Sequence, residues 1–284
     1  MKPYEFEYLR PASLDEALKM LAEYGDDAKV LAGGQSLLAT LNMRLSAPGY
    51  LVDIGNLEDM NTISEMGGMI RVGGLCRHSK IQDSALIREQ VPLLGKAIDH
   101  VAHAAIRNRG THGGSIAFAD PAAEIPACAV SLDALITLCS VDGERQVQAS
   151  DFFKDLYETD LGENEIVKYI DYPKQRENGV CAFREFARRR GDFATAGLAL
   201  SAEVKAQQVN GLRAVFFGVG NSPQLAQKVA ELLEGKTLSD TLIEDAQALL
   251  DEDIEIIGDV YSGAPMKKQL CRHFLKEALE GIAG

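Results

Sequence analysis

The chain has 284 residues, a formal net charge of −13, 46% apolar residues and 25% charged residues, a balance typical of a folded globular protein. Such an acidic chain disfavours nucleic-acid binding, and no apolar run reaches the roughly 20 residues that span a bilayer. The five cysteines lack the spacing of a zinc or iron–sulfur site, and the N-terminus lacks an export signal. We therefore expect a cytoplasmic protein without a metal of its own.

Residues 1–55 predict a compact α/β unit. Ser13 and Glu16 have the spacing of a capping box, which places the start of a helix. Alternating and helical apolar patterns predict the elements in chain order: a strand over 4–8, a helix over 14–21, a strand over 28–31, a short helix after Ser36 and a strand over 50–54.

Residues 56–175 predict a second unit, with a hairpin at each end. The first hairpin turns at Gly67 and Gly68, and the second spans 134–149 and turns at Asp142 and Gly143. Between them we expect helices over 79–88 and 92–105, and a third helix that starts at Pro121 and runs to 132.

Residues 176–284 change pattern, since strands come first and helices follow. We expect strands over 181–188, 196–205 and 211–218, with the last two joined at Asn210 and Gly211, and then helices over 223–233, 239–250 and 264–282. This order predicts an α+β domain in which helices cover one face of an antiparallel sheet.

Two glycine-rich turns carry the chemistry of the chain. They are Ala32-Gly33-Gly34-Gln35-Ser36 and Thr111-His112-Gly113-Gly114-Ser115. Glycine pairs let successive N–H groups point inward at an anion, and the serine and threonine hydroxyls add donors. Either turn alone is also compatible with an ordinary tight turn. Neither matches the glycine pattern of a Rossmann fold or a P-loop, so the residues themselves reach only a candidate phosphate site.

The two turns together resemble the FAD-binding medium subunit of molybdenum hydroxylases, the family of xanthine dehydrogenase and carbon monoxide dehydrogenase. The resemblance extends to Phe6 through Leu18, Ala119-Asp120-Pro121-Ala122-Ala123-Glu124, and Arg189-Arg190-Gly191-Asp192-Phe193-Ala194. It implies two α/β subdomains (about 1–55 and 56–175) that form a PCMH-type FAD-binding fold. It also implies a C-terminal domain, 176–284, with a three-stranded antiparallel sheet and helices.

The resemblance also implies which residues bind FAD. One set surrounds the diphosphate and its sugars: Lys29, Val30, Leu31, Ala32, Gly33, Gly34, Gln35, Ser36, Leu37, Thr111, Gly113, Gly114 and Ser115. Val101 is expected near the flavin, Glu124 as a polar contact, and Ile166 with Val167 along the ring system or the adenine. Many relatives have a lysine in the strand of Phe183 to Phe186, where this chain offers Arg184 or Arg188 as the cation. Phe193 either shields the ring or is a core aromatic.

The function implied is that of an electron-transfer subunit without a catalytic residue of its own. It takes electrons from the [2Fe–2S] clusters of a small partner subunit and passes them through FAD to NAD, a quinone or oxygen. A large molybdopterin subunit hydroxylates the substrate, and the subunits assemble as a heterotrimer or its dimer. The alternative is a self-sufficient FAD-dependent oxidoreductase that acts on a small molecule, which needs a proton donor near the ring.

Several polar residues leave two interpretations open. His100 and His103 lie three apart in the predicted helix and are expected to be surface or core histidines, not ligands. His112 either donates to a phosphate or faces solvent. Asp120 and Glu124 form an acid/base pair on one helical face, or Asp120 stabilises the helix N-terminus.

Overall fold

The computed structural model describes residues 2–283. The first unit, described over residues 2–55, is a parallel three-stranded sheet whose middle strand is the last in sequence, with a helix packed against it. Its elements are β1 (Glu7–Leu9), α1 (Leu14–Tyr24), β2 (Ala28–Leu31), α2 (Leu37–Asn42) and β3 (Tyr50–Asp53). The Ser13 half of the predicted capping box is confirmed, because the Glu16 N–H donates to Ser13 Oγ. The Glu16 carboxylate accepts from the Ala12 N–H, one residue before the N-cap where the box places its partner. Helix α1 runs three residues beyond its predicted end at Leu21.

The second unit, residues 56–175, is built on an antiparallel sheet of order β4-β5-β10-β6-β7. Its strands are β4 (Ile63–Met66), β5 (Met69–Gly73), β6 (Leu135–Ser140), β7 (Gly143–Gln148), β8 (Phe153–Asp155), β9 (Glu158–Thr159) and β10 (Ile166–Pro173). Its helices are α3 (His78–Asp83), α4 (Ala85–Gln90), α5 (Pro92–Ala97), α6 (Ala104–Arg107), α7 (His112–Phe118), α8 (Glu124–Ser131) and α9 (Ala149–Phe152). Both predicted hairpins are present.

The helices of this unit are shorter than predicted. Ser84 breaks the first one, because its side chain accepts from the Ile87 N–H and starts a new helix there. The second ends at Ala97, so His100 and His103 do not share a helix. The third begins at Glu124 instead of Pro121, since Asp120 Oδ1 accepts from the Ala122 N–H and holds residues 120–122 in a turn.

The third unit, described over residues 176–283, has the predicted antiparallel sheet with helices, but the sheet has five strands where three were expected, because two strands of two residues each also pair in it. Its elements are β11 (Gly179–Phe186), β12 (Ala196–Lys205), β13 (Gln208–Phe217), β14 (Gln224–Leu225), α10 (Gln227–Leu233), β15 (Lys236–Thr237), α11 (Asp240–Asp253) and α12 (Ala264–Ala283). Helix α10 starts later than predicted, because residues 224–225 pair with β13. No helix among residues 2–283 is long and apolar enough to cross a membrane.

The turn predicted at Asn210 and Gly211 is wrong. Strands β12 and β13 turn at Ala206 and Gln207, which both adopt positive φ, the backbone geometry of a tight hairpin turn. Asn210 and Gly211 lie inside β13, where the pairing register with β12 shifts between Ser201 and Glu203. The Asn-Gly pair therefore lies at a strand irregularity, where Gly211 has a φ of 57°.

The β11–β12–β13 sheet is covered on both faces. Phe183, Ala199 and Phe217 on one face belong to the same buried cluster as Ile70 and Ile136 of the second unit. The other face of the sheet packs against α10, α11 and α12 in a separate cluster. Because side chains alternate along a strand, neighbouring residues of the sheet belong to different cores. The division of the chain at residues 175 and 176 stays a proposal.

Candidate cofactor site

A cavity of about 750 Å³ opens where the three units meet, within the size range of small-molecule and cofactor sites. Most of the residues expected to bind FAD lie in its wall: Lys29, Val30, Ala32, Gly33, Gly34, Gln35, Ser36, Leu37, Val101, Thr111, Gly113, Gly114, Ser115, Glu124, Ile166 and Val167. Leu31 and Arg184 are not in the wall. The structure thus brings together segments that are far apart in the sequence, as one elongated ligand requires.

The first glycine turn presents backbone donors to this cavity. Gly34 has a φ of 71°, in the left-handed region that favours glycine. In the described part of the chain, the N–H groups of Gly33, Gly34, Gln35 and Ser36 donate to no protein acceptor. Free N–H groups grouped around a left-handed residue form an anion-binding nest. This turn therefore fits a diphosphate.

Gly33 has a different role from Gly34, because it forms the contact between the two glycine-rich segments. A Cβ at Gly33 would lie 2.8 Å from Gly110 Cα and would also meet the Arg109 carbonyl oxygen. The absence of a side chain at Gly33 thus lets the first turn pack directly on the loop before the second turn.

The expectation that the second turn also offers its N–H groups is wrong. The His112 and Gly113 N–H groups donate to the Cys76 and Gly74 carbonyls, each at 2.8 Å. The Gly114 N–H donates to Thr111 Oγ1, which caps α7. Because these donors are satisfied within the protein, the second turn serves mainly as a close-packed wall. Among the described residues of this turn, the Thr111 N–H and the Ser115 hydroxyl are left without a protein partner.

Neither interpretation of His112 holds. Its side chain is fully buried, and its Nε2 lies 2.8 Å from the Tyr172 hydroxyl. It reaches neither a phosphate nor solvent. Burial lowers the pKa of His112 to about 3 and that of the cavity-lining His78 to about 4, so both imidazoles are neutral at pH 7. His78 opens α3, and nothing in the sequence pattern marked it as a cavity residue.

Two carboxyl groups beside the cavity, Asp120 and Glu124, are held in different ways. Glu124 is the first residue of α8 and lines the cavity, with only 7% of its surface exposed. Burial and the nearby Glu185 raise the pKa of Glu124 to about 8. Burial also raises the pKa of Asp120, but Asp120 lies in the turn before the helix. The two therefore do not share a helical face, and Asp120 stabilises that turn.

The expected cation near the flavin is not in the cavity wall. Arg184 points to the helical face of the sheet, where its Nε lies 3.2 Å from Glu277 Oε2. Arg188 is exposed and lies over the Tyr261 ring. Between them in sequence, Glu185 faces the second unit, and its side chain is 4% exposed. The strand thus directs a carboxyl group, and not a guanidinium, towards the cavity side.

The sequence did not predict some residues of the cavity wall. It did single out Phe193, but the surroundings of that residue differ from those of a core aromatic. Phe193 lines the cavity but is 76% exposed, which excludes a core aromatic and places it at the cavity mouth. The short hairpin of β8 and β9 leads into cavity residues Leu161 and Gly162. Strands of two or three residues carry too little pattern to be predicted. Among residues 2–283, no group of three His, Cys, Asp or Glu side chains is arranged to bind a metal.

Two family models match the chain. Residues 4–175 match the FAD binding domain in molybdopterin dehydrogenase, and residues 181–282 match the CO dehydrogenase flavoprotein C-terminal domain. The 6-hydroxypseudooxynicotine dehydrogenase complex subunit alpha of Paenarthrobacter nicotinovorans is 35% identical, over 98% of this chain and 95% of the relative. The glyceraldehyde dehydrogenase medium chain of Sulfolobus acidocaldarius is 33% identical over the full length of both.

A solved structure has the same fold as this chain. A chain of carbon monoxide dehydrogenase from Hydrogenophaga pseudoflava, in a form that lacks the Mo-pyranopterin moiety of its cofactor, superposes with a TM-score of 0.96 at 32% identity. The match covers 99% of this chain and 98% of the other. The likeness therefore includes all three units in their relative arrangement.

Proposed function

This chain belongs to the family of FAD-binding medium subunits of molybdenum hydroxylases, and we propose that it is the electron-transfer subunit of such an enzyme. It receives electrons from [2Fe–2S] clusters on a small partner subunit and delivers them to an acceptor such as NAD, a quinone or oxygen. A large molybdopterin subunit acts on the substrate. The names of three relatives support this division of work among subunits. They are called a medium chain, a subunit alpha and a subunit beta of dehydrogenases.

The observation that carries the proposal is the row of free N–H groups from Gly33 to Ser36 at one wall of the cavity. These donors bind the FAD diphosphate, with the Ser115 hydroxyl opposite. Ile166 and Val167 supply apolar surface for the ring systems, and Glu124 supplies a polar contact. Bound FAD would store two electrons and exchange them singly or in pairs. The protein binds, orients and shields it, and no residue of this chain is proposed as a catalytic acid or base.

Exposed Phe193 lies at the cavity mouth, where electrons from a partner would enter. We propose a heterotrimer, or a dimer of heterotrimers, in which the small subunit covers this mouth. The five cysteines are all free thiols, which supports the proposal that the protein functions in the reducing cytoplasm.

The test is FAD binding followed by reconstitution with the native partners. The purified chain is expected to bind one FAD, and the complex purified with its two partners should contain iron and molybdenum. On addition of substrate, the flavin absorbance of the complex should bleach. The chain without its partners should not bleach. A chain that binds no FAD in any state would refute the proposal, as would flavin reduction by substrate in the isolated chain.

A further inference from the structure

Two buried carboxyl groups, one in the cavity wall and one outside it, lie near enough for their charges to interact. Glu124 is the first residue of α8 and lines the cavity. Glu185 lies on β11, on the same face as Phe183, because side chains alternate along a strand. The His100 ring contacts both Phe183 and Glu185, which confirms this orientation. Glu124 thus belongs to the second unit and Glu185 to the third, and Glu185 is near enough for its charge to act on Glu124.

No cation neutralises this pair. Among residues 2–283, Glu185 Oε2 has no hydrogen-bond partner, and its nearest basic atom, His100 Nδ1, is 3.7 Å away, beyond hydrogen-bond range. Arg184 on the same strand bonds Glu277 on the opposite face. Asp120 and Cys128 also lie near Glu124. The groups next to these two residues and to His100 are Tyr157, Cys181, Asp99 and Arg190, with Lys96 beside Cys181.

Two carboxylates cannot both stay charged in such a place. Burial disfavours the charged form of each group, and a second negative charge disfavours it further. A hydrogen bond from the Glu124 backbone N–H to its own carboxyl offsets only part of this at Glu124. Burial raises the pKa of Glu185 to about 7, and burial together with Glu185 raises that of Glu124 to about 8. These directions agree with the geometry, in which each carboxyl lacks a cation.

We propose that Glu124 and Glu185 hold one proton between them at neutral pH, and that Glu124 presents this proton to the cavity as a hydrogen-bond donor. Glu185 is then a positioning residue that acts through Glu124 by keeping it protonated. The inference rests on the proposed function for the identity of the acceptor, a polar atom of FAD. The protonation itself does not depend on FAD.

The protonation is tested by infrared spectroscopy on the full-length chain with ¹³C-labelled glutamate. The wild-type protein should show a protonated-carboxyl band at pH 7. As the pH rises, this band should disappear with a midpoint at about pH 8. Glu185→Gln should move that midpoint down by about one pH unit, and Glu124→Gln should remove the step at about pH 8 and leave only the step of Glu185 at about pH 7. Glu277→Gln, on the other face of the same sheet, should leave it unchanged.

The absence of a protonated band in the wild type at pH 7 would overturn the proposal, and this measurement decides the matter even if Glu185→Gln fails to fold. A midpoint that Glu185→Gln leaves in place would overturn the role of Glu185.

A second measurement separates this inference from the proposed function. FAD affinity should fall as the pH rises through about 8 in the wild type, because ionised Glu124 can no longer donate. Glu124→Gln keeps an N–H donor at all pH values and should abolish this fall. FAD binding that is equally pH-dependent in both proteins would overturn the donor role. Failure to bind FAD at any pH would refute the proposed function, while the infrared titration would still test the shared proton.

Discussion

Replacement of Glu124 by Gln should stabilise the protein at alkaline pH and not at acid pH. Glutamine keeps the size and polarity of the side chain but cannot ionise. Burial, with Glu185 nearby, raises the pKa of Glu124 from 4.5 to about 8. A group whose pKa is raised on folding costs nothing below its unfolded pKa, and its cost grows as the pH rises to the folded pKa. The wild type therefore loses stability between pH 4.5 and about 8, and remains less stable above that range.

The size of this effect follows from the pKa difference. Each pH unit across the interval corresponds to about 1.4 kcal/mol, so ionised Glu124 costs about 5 kcal/mol once the pH exceeds about 8. For a chain of this length, 1 kcal/mol corresponds to about 2 °C in melting temperature. The difference in melting temperature between Glu124→Gln and the wild type should therefore grow by about 10 °C from acid to alkaline pH.

Differential scanning calorimetry at pH values from about 5 to about 9 measures this difference directly. Glu277→Gln removes an exposed carboxyl that pairs with Arg184, and it should not follow the pH dependence of Glu124→Gln. A melting-temperature difference between Glu124→Gln and the wild type that stays constant with pH would refute the reasoning, because it would show that Glu124 ionises as easily in the folded chain as in the unfolded one.

Three further tests concern the cavity wall and the strand next to it. Gly33→Ala forces a Cβ against the Arg109 carbonyl, so it should lower the free energy of unfolding by about 1–3 kcal/mol and weaken FAD binding in a titration. The control Gly263→Ala brings its Cβ only to 3.6 Å from Pro265 Cδ and should be neutral. Thr111→Ala removes the cap of α7 and should lower the free energy of unfolding in urea by about 1 kcal/mol, while Thr111→Ser should retain most of it. Arg184→Gln should leave FAD affinity unchanged, since its guanidinium lies on the far face of the sheet; a marked loss would show that Arg184 reaches the cofactor.

The sequence predicted best those features that depend on neighbouring residues. The helix start at Ser13 and the first glycine turn were found where expected, and the β6–β7 hairpin was found with its turn at Val141 and Asp142, one residue before the predicted Asp142 and Gly143. Each depends on contacts within a few residues, such as a side chain that caps its own helix or a glycine that adopts positive φ. Local chemistry was sufficient for these features.

The local sequence pattern did not reveal several features that depend on distant residues. The N–H groups of the second turn are taken by Gly74 and Cys76, and nothing in the turn itself reveals these acceptors. Because side chains alternate along a strand, Arg184 and Glu185 must lie on opposite faces of β11. Only the three-dimensional packing shows which of these faces the helices cover. Ala206 and Gln207 have little turn preference, so the nearby Asn-Gly pair was the better local signal and led to the wrong turn.

The two-faced β11–β12–β13 sheet has a consequence for cooperativity. Phe183 and Phe217 complete the core of the second unit, while Leu198 and Phe216 of the same sheet pack under the C-terminal helices. Neither unit can open without exposing apolar surface of the other, so their amides should exchange with solvent as one protected foldon. The wall behind Glu124 is therefore among the last parts of the molecule to fluctuate, although the cavity in front of it is open to solvent.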